Sequence, residues 1–342
     1  MANNNQEHTK LTAKDYKSDQ EVRWCPGCGD HAIMNAIQRS LPEMNIPREK
    51  FAFISGIGCS SRFPYYMNTY GFHGIHGRAS AIASGTKTAN PGLSVWQITG
   101  DGDSMAIGGN HLIHTVRRNV DINIIIFNNE IYGLTKGQYS PTSKYGAVTK
   151  TSPYGTIENP FHPGELVIGA QGKFFARSVD INIKLNQEIF LEAEKHKGTA
   201  VVELLQNCVI YNDKAHAVIA DKKNKDDRQL VLRHGEPMIF GKNRDKGIVL
   251  EGLKLKVVEI GKDGYTEDDI LVHDARTNDP GIHLMLANMQ YPDYPVAVGI
   301  IRSVESDTYE HKMEEQIQQV REQSEYQCVD DLLNSGSTWE VK

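Results

Sequence analysis

Two groups of residues in this chain have types and spacings that suit chemistry. The first is an acidic glycine turn, Gly100-Asp101-Gly102-Asp103, with 25 residues between Gly102 and the pair Asn128-Asn129. This pattern suits a magnesium-bound diphosphate. Magnesium wants oxygen ligands in a tight octahedron and is usually shared between one or two side chains and phosphate oxygens. Asp101 and Asn129 can each supply one oxygen, and the backbone carbonyl of Ile131 a third. Gly100 and Gly102 permit close backbone approach. The bland alternative is a Gly-Asp-Gly turn beside an unrelated Asn-Asn helix cap.

The second group is four cysteines: Cys25 and Cys28 in Cys-Pro-Gly-Cys-Gly, Cys59 in Gly-Ile-Gly-Cys-Ser-Ser, and Cys208. Three readings are open at this point. A Cys-x-x-Cys at a helix start can be a redox dithiol with a lowered thiol pKa. Four thiolates can also hold a structural zinc, or a [4Fe–4S] cluster. A dithiol needs no further cysteines, and zinc normally uses two Cys-x-x-Cys knuckles, whereas Cys59 and Cys208 are isolated. Cys328, in the acidic tail, has no evident partner and reads as a bystander.

The elements that position these groups follow from the apolar pattern. Phe51-Ala-Phe-Ile, Leu93 to Thr99, Ile122 to Phe127 and Ala200 to Leu205 read as buried strands. Each runs into one of the loops that carry Cys59, Asp101, Asn129 or Cys208. Helices are expected over 31–41, 79–89, 104–118 and 309–323, the last from Met313, Ile317 and Val320 on one face. Strands alternating with helices predict a doubly wound, mainly parallel α/β sheet, whose ligand crevice lies beyond the carboxyl ends of the strands. Three regions are expected: a polar, loosely ordered arm over 1–20, a binding domain over 21–210 holding the turn and the cysteines, and a C-terminal extension over 211–342.

Composition bounds the rest. The chain has 342 residues, enough for an ample core, and a formal net charge of -6, which argues against nucleic acid as the main partner. No apolar run approaches the roughly 20 residues of a spanning helix, so no membrane role is expected. The polar N-terminus and the odd count of five cysteines predict a reducing, cytoplasmic setting.

Longer strings resemble a known family. Gly100-Asp-Gly-Asp…Asn128-Asn129 resembles the diphosphate-binding signature of thiamine-dependent enzymes. Gly-Asp-Gly-Asp-Ser-Met-Ala-Ile-Gly-Gly-Asn-His, Ile131-Tyr-Gly-Leu-Thr-Lys-Gly-Gln138, Cys25-Pro-Gly-Cys-Gly-Asp-His31 and Gly58-Cys-Ser-Ser-Arg62 resemble the β subunit of 2-oxoacid:ferredoxin oxidoreductases. The likeness runs over roughly 20–330, is most specific over 22–142 and weakens after Cys208. It implies thiamine diphosphate, magnesium on Asp101, Asn129 and Ile131, and a [4Fe–4S] cluster on Cys25, Cys28, Cys59 and Cys208. It further implies cofactor contacts from Gly58, Ser60, His76, Gly77, Gly100, Gly102 and Asp103, with His76 helping proton transfer or positioning the substrate carboxylate and Lys136 meeting the 2-oxoacid or coenzyme A.

The reaction implied is oxidative decarboxylation of a 2-oxoacid to acyl-coenzyme A and carbon dioxide, with electrons leaving singly to ferredoxin; 2-oxoglutarate is weakly preferred to pyruvate. Thiamine enzymes also need a glutamate beside the aminopyrimidine, normally from a second α/β domain. This sequence has only one such domain, so a larger α subunit is expected to supply it, and the C-terminal extension is expected to face a partner. Two competing readings remain: a non-oxidative thiamine decarboxylase or ligase subunit, opposed by the cysteines, and a zinc-stabilised module whose turn binds a nucleotide.

Overall fold

A computed structural model describes residues 11–326 and 328–341. The element order is α1 (Asp30–Ser40), β1 (Phe51–Ser55), β2 (Tyr70–His73), α2 (Ala79–Ala89), β3 (Ser94–Gly100), α3 (Asp101–Met105), α4 (Gly109–Arg118) and β4 (Asn123–Asn128). Then come α5 (Pro163–Gly169), β5 (Phe174–Val179), α6 (Ile183–Lys195), β6 (Ala200–Leu205), α7 (Ala217–Ala220), α8 (Lys225–Arg228) and β7 (Gln229–Leu232). The chain continues through β8 (Ile239–Phe240), β9 (Lys246–Glu251), β10 (Lys254–Glu259), α9 (Gly281–Ala287), β11 (Val296–Ser303), α10 (Tyr309–Gln323) and α11 (Val329–Leu333).

Eight strands form one sheet in the order β2-β1-β3-β4-β6-β5-β11-β7, and β8, β9 and β10 form a small antiparallel sheet. Within the large sheet only the β11–β5 pairing is antiparallel. β1, β4, β5 and β6 are buried along their whole length, as continuous apolar runs covered on both faces must be. The four strands anticipated from the sequence are present, and β1, β3, β4 and β6 are consecutive neighbours in the sheet. Because they are parallel, their carboxyl ends bring four loops to one edge: 56–59, 100–103, 128–131 and 206–208.

An aromatic layer anchors the first of those loops. Phe63, in the 3-10 turn Ser60–Tyr66, stacks on Phe53 at 5.4 Å, and Phe53 stacks on Trp96 at 6.0 Å. Removing such a buried ring costs about 3–5 kcal/mol, so the turn carrying Cys59 and Ser60 is fixed to the sheet. Trp24 adds to this, donating from its indole N–H to the Cys59 carbonyl at 2.6 Å.

Three expectations are corrected. The helix expected over 104–118 is two helices, α3 and α4, broken at 106–108. The cause is a close approach: a Cβ on Gly77 would lie 2.7 Å from the Gly108 amide nitrogen, and a Cβ on Gly108 would strike the Asp103 carbonyl. The loops interlock only because both residues are glycine. In the arm expected over 1–20, residues 1–10 lie outside the described residues, while Tyr16 is buried with its ring 6.0 Å from that of Phe51. Helix α10 matches its expected span, but Ile317 and Val320 on its apolar face are exposed.

Candidate active site

A cavity of about 320 Å³ opens at the shared strand edge. Its lining brings together Gly58, Cys59, Ser60, His76, Gly100, Asp101, Gly102, Asp103, Asn129 and Ile131, from four separate loops. Of the expected cofactor contacts only Gly77 is set back, and its amide donates to Asp103 Oδ1 at 2.8 Å. Lys136 lies on the exposed far side of the 133–137 turn, in the left-handed region at φ 72°, and does not line the cavity.

Asp101 is buried, and its Oδ2 accepts hydrogen bonds of 2.5 Å from both Ser140 Oγ and Thr142 Oγ1. Burial pushes its pKa up to about 6 against these bonds. Sequence reasoning missed the two hydroxyls, which sit about forty residues downstream in a loop without a recognisable pattern. Asn129 Oδ1 accepts from the Ile131 amide at 3.2 Å. Asn128 serves another side: it lines a second cavity, of about 240 Å³, and donates to Glu203 Oε1 at 2.8 Å. A buried carboxylate and an amide oxygen on one cavity wall, beside a close-packed glycine backbone, form a donor set suited to magnesium and a diphosphate. Gly102 has no room for a Cβ, because the Tyr132 ring covers it and the Tyr132 hydroxyl donates to its carbonyl at 3.0 Å.

Asp103 has a scaffolding role that the motif alone did not reveal. Its buried Oδ1 accepts from the Ile57 amide at 3.0 Å, His76 Nδ1 at 2.7 Å and the Gly77 amide, while Oδ2 accepts from Thr99 Oγ1 at 2.8 Å. One carboxylate thus pins the 57–58 loop, the 76–77 loop and the end of β3. Gly56 lies so close to it that a Cβ there would collide with the carboxylate. With Nδ1 engaged by Asp103, His76 keeps Nε2 for other contacts.

Next to this cavity the four cysteines converge. A Cβ placed on Gly133 would sit 3.5 Å from Cys208 Sγ and 3.6 Å from Cys59 Sγ, so both thiols face the space this glycine leaves. Burial pushes the Cys59 thiol up to about 12, with further upward pushes from Asp30, Cys208 and Cys25. The Cys28 thiol is raised too, first by burial and then by Asp30, with Cys208 and Cys59 adding to it. Among the described residues no three His, Cys, Asp or Glu side chains stand at metal-holding spacing. The thiols share one region without a closed ligand set. All five cysteines are free, and Cys328 is exposed in the tail, away from the others in sequence. Cys59 and Cys208 about one space, with Cys25 and Cys28 within electrostatic reach of Cys59, suit a group that takes thiolate ligands.

The loops bearing the thiols are tied together. The Gly29 amide donates to the Asn207 carbonyl at 3.2 Å, and the Asn207 amide donates to Asp180 Oδ2 at 2.9 Å. His31 Nε2 lies 3.3 Å from the Cys25 carbonyl.

Known proteins resemble this chain in sequence and fold. Residues 56–204 match the family model of the thiamine pyrophosphate enzyme C-terminal TPP binding domain. The chain is 47% identical over 332 residues to the 2-oxoglutarate oxidoreductase subunit KorB of Mycobacterium tuberculosis, covering 96% of this chain and 88% of that one. It is 43% identical to the 2-oxoacid:ferredoxin oxidoreductase 1 subunit beta of Aeropyrum pernix, over 58% of this chain and 62% of the relative. The structure of 2-oxoglutarate:ferredoxin oxidoreductase from Magnetococcus marinus with 2-oxoglutarate, coenzyme A and succinyl-CoA bound superposes with a TM-score of 0.76 at 30% identity, over 96% of this chain and 97% of that one. An identity of this size across nearly the whole chain, on the same mainly parallel fold, means that the chain belongs to the β-subunit family of 2-oxoacid:ferredoxin oxidoreductases.

Proposed function

We propose that this chain is the thiamine-holding half of an enzyme that oxidatively decarboxylates a 2-oxoacid, 2-oxoglutarate in preference to pyruvate, to acyl-coenzyme A and carbon dioxide, with ferredoxin as the electron acceptor. The observation that carries the reading is the place of Cys59. It belongs to the converging thiols and also lines the cavity that holds Asp101 and Asn129. A carbon-centred reaction and an electron exit would therefore share a wall. The names of the Mycobacterium and Magnetococcus proteins support 2-oxoglutarate as substrate.

When bound, thiamine diphosphate supplies a nucleophilic carbon for decarboxylation, and a [4Fe–4S] cluster supplies a one-electron acceptor. In this reading Asp101, Asn129 and the Ile131 carbonyl hold magnesium and the diphosphate, with Gly58, Ser60, Gly100 and Gly102 lining its seat. Asp103 and Gly77 fix His76, whose Nε2 moves or holds a proton at the substrate. Cys25, Cys28, Cys59 and Cys208 hold the cluster. Lys136, exposed on its turn, meets the anionic 2-oxoacid or coenzyme A as it arrives. Residues 21–210 form the binding domain. The 211–342 region faces a partner, a role supported by exposed Ile317, Val320, Leu332, Leu333 and Trp339. A larger α subunit supplies the aminopyrimidine glutamate, and the complex works in the cytoplasm. Among the described residues no helix is long and apolar enough to cross a membrane.

The test is iron, sulfide and thiamine analysis of the purified complex, with turnover of 2-oxoglutarate and pyruvate against a viologen dye. Cys59→Ser and Cys208→Ser should lose the cluster and the dye reduction while retaining thiamine diphosphate, because an alkoxide is a harder and poorer ligand for iron than a thiolate. Cys328→Ser should match the wild type. Full iron and sulfide in either of the first two variants, or zinc without sulfide in the wild type, refutes the assignment.

A further inference from the structure

We infer that Gln206 is a positioning residue that couples the two halves of this site, orienting Asn129 for the magnesium–diphosphate and donating an N–H···S hydrogen bond to Cys28. The inference rests on the function proposed above and concerns a residue that carries no motif.

Gln206 is the first residue beyond β6 and is fully buried. Its backbone amide donates to the Asn128 carbonyl at 2.9 Å, extending the β4–β6 ladder past the last strand residue. The side chain therefore starts from a fixed point between the two loops. Its Nε2 donates to Cys28 Sγ at 3.3 Å and to the Asn207 carbonyl at 2.6 Å, and its Oε1 accepts from Asn129 Nδ2 at 2.8 Å. Both N–H groups and the carbonyl are used.

The orientation of the amide is assigned by its neighbours, as amide orientations must be. The Asn207 carbonyl is an acceptor only, and Asn129, whose Oδ1 takes the Ile131 amide, turns its Nδ2 donor towards Gln206. Turning the amide over would set Oε1 against the Asn207 carbonyl and Nε2 against the Asn129 donor.

Two consequences follow from that orientation. Asn129 must present Nδ2 to Gln206, which leaves Oδ1 on the Ile131 side, where it accepts from the backbone and keeps a lone pair for a metal. Outer partners of this kind typically govern metal affinity by roughly 10–100-fold. At the other end, an N–H aimed at a ligating sulfur stabilises the more negative, reduced state of a cluster and raises its potential. A hydrogen bond to a charged acceptor is worth about tenfold or somewhat more in an equilibrium, and tenfold is about 59 mV for a one-electron couple. A single buried amide thus touches the ligand set on each side.

The test uses the holoenzyme complex with two variants. Gln206→Met preserves length and apolar volume but has no N–H donor and no amide oxygen. It should weaken thiamine diphosphate binding in magnesium by roughly tenfold or more in calorimetry. It should also shift the cluster's reduction equilibrium about tenfold towards the oxidised form in a titration followed by electron paramagnetic resonance. Gln206→Glu, measured at alkaline pH with the carboxylate ionised, retains an acceptor for Asn129 and loses the donor to Cys28. It should bind thiamine diphosphate as the wild type does while its potential falls. Wild-type potentials in both variants, or a fallen thiamine affinity with an unmoved potential, would overturn the coupling. A wild-type complex without iron and sulfide would instead overturn the proposed cluster itself, a failure visible before either variant is made.

Discussion

Replacing Asp103 tests whether one buried carboxylate organises the cavity. The structure gives it four donors: two backbone amides, the His76 ring and the Thr99 hydroxyl. In Asp103→Ala, Thr99 can turn to the Gly100 carbonyl, already 3.2 Å away, and water in the cavity can reach His76 and Ile57. The Gly77 amide has no such recourse, since its bond is buried. Hydrogen bonds to a charged group are worth about 1.5–3 kcal/mol each, and an orphaned buried donor costs about 1–3 kcal/mol. With partial rescue by water and Thr99, the net destabilisation should be about 3–5 kcal/mol, a large share of the stability of a typical domain. Asp103→Asn keeps an oxygen for the three Oδ1 donors but makes their bonds neutral, which should cost about half as much. Urea unfolding checks both, with the midpoint moving and the slope unchanged. Thiamine diphosphate affinity should fall in the same order, because the loops at Ile57 and His76 are released together. An Asp103→Ala chain within about 1 kcal/mol of wild type would refute the reasoning, since it is less than the least cost of the orphaned Gly77 amide and lost charged bonds together.

Further outcomes follow from other contacts. Gly102→Ala should push the Tyr132 ring off the turn and break its bond to the Gly102 carbonyl, weakening cofactor binding about tenfold, as calorimetry would record. Arg177 and Glu203 form a buried ion pair at 2.6 Å between β5 and β6. Arg177→Ala should cost about 3–5 kcal/mol in urea unfolding, whereas the double change Arg177→Met with Glu203→Leu should be far milder. His273 is buried, donates to the Ile300 carbonyl at 2.8 Å, and has its pKa pushed down to about 4 by burial. Its folded value lies below the unfolded value of about 6.5, so the unfolded chain takes up the proton first as pH falls. Its contribution of at most about 3 kcal/mol is present above pH 6.5 and lost between about 6.5 and 4. His273→Gln should flatten the stability profile in that window, and an unaltered slope would contradict the assignment.

The parts legible in the sequence were those whose signal is local. Continuous apolar runs gave β1, β3, β4 and β6, and the loops at their ends carried residues of unusual chemistry. β5 was not legible because Arg177 interrupts Phe-Phe-Ala-Arg-Ser-Val, and a charge inside a fully buried strand makes sense only once Glu203 on the neighbouring strand is known. The break between α3 and α4 depends on Gly77, some thirty residues away, so no helical periodicity could reveal it. The same holds for Ser140 and Thr142 on Asp101, and for Gln206: ordinary polar residues whose importance arises only from what the fold sets beside them. Lys136 illustrates the converse, a residue selected by its string that the structure leaves on the outside of its turn.

The hydrogen bond between Gln206 and Cys28 spans 178 residues, which has a consequence for biosynthesis. At 5–20 residues per second, Cys28 leaves the ribosome roughly 10–40 s before its partner just beyond β6 exists. For that interval Cys25, Cys28 and Cys59 are exposed without the strand that gathers them, and β4 lacks the neighbour that completes the central sheet. Thiols waiting in this state are open to oxidation or to capture of the wrong metal. Any centre they build can close only after β6 docks, so the arrival of Cys208 at the sheet edge doubles as a signal that the β1-β3-β4-β6 half of the sheet has formed.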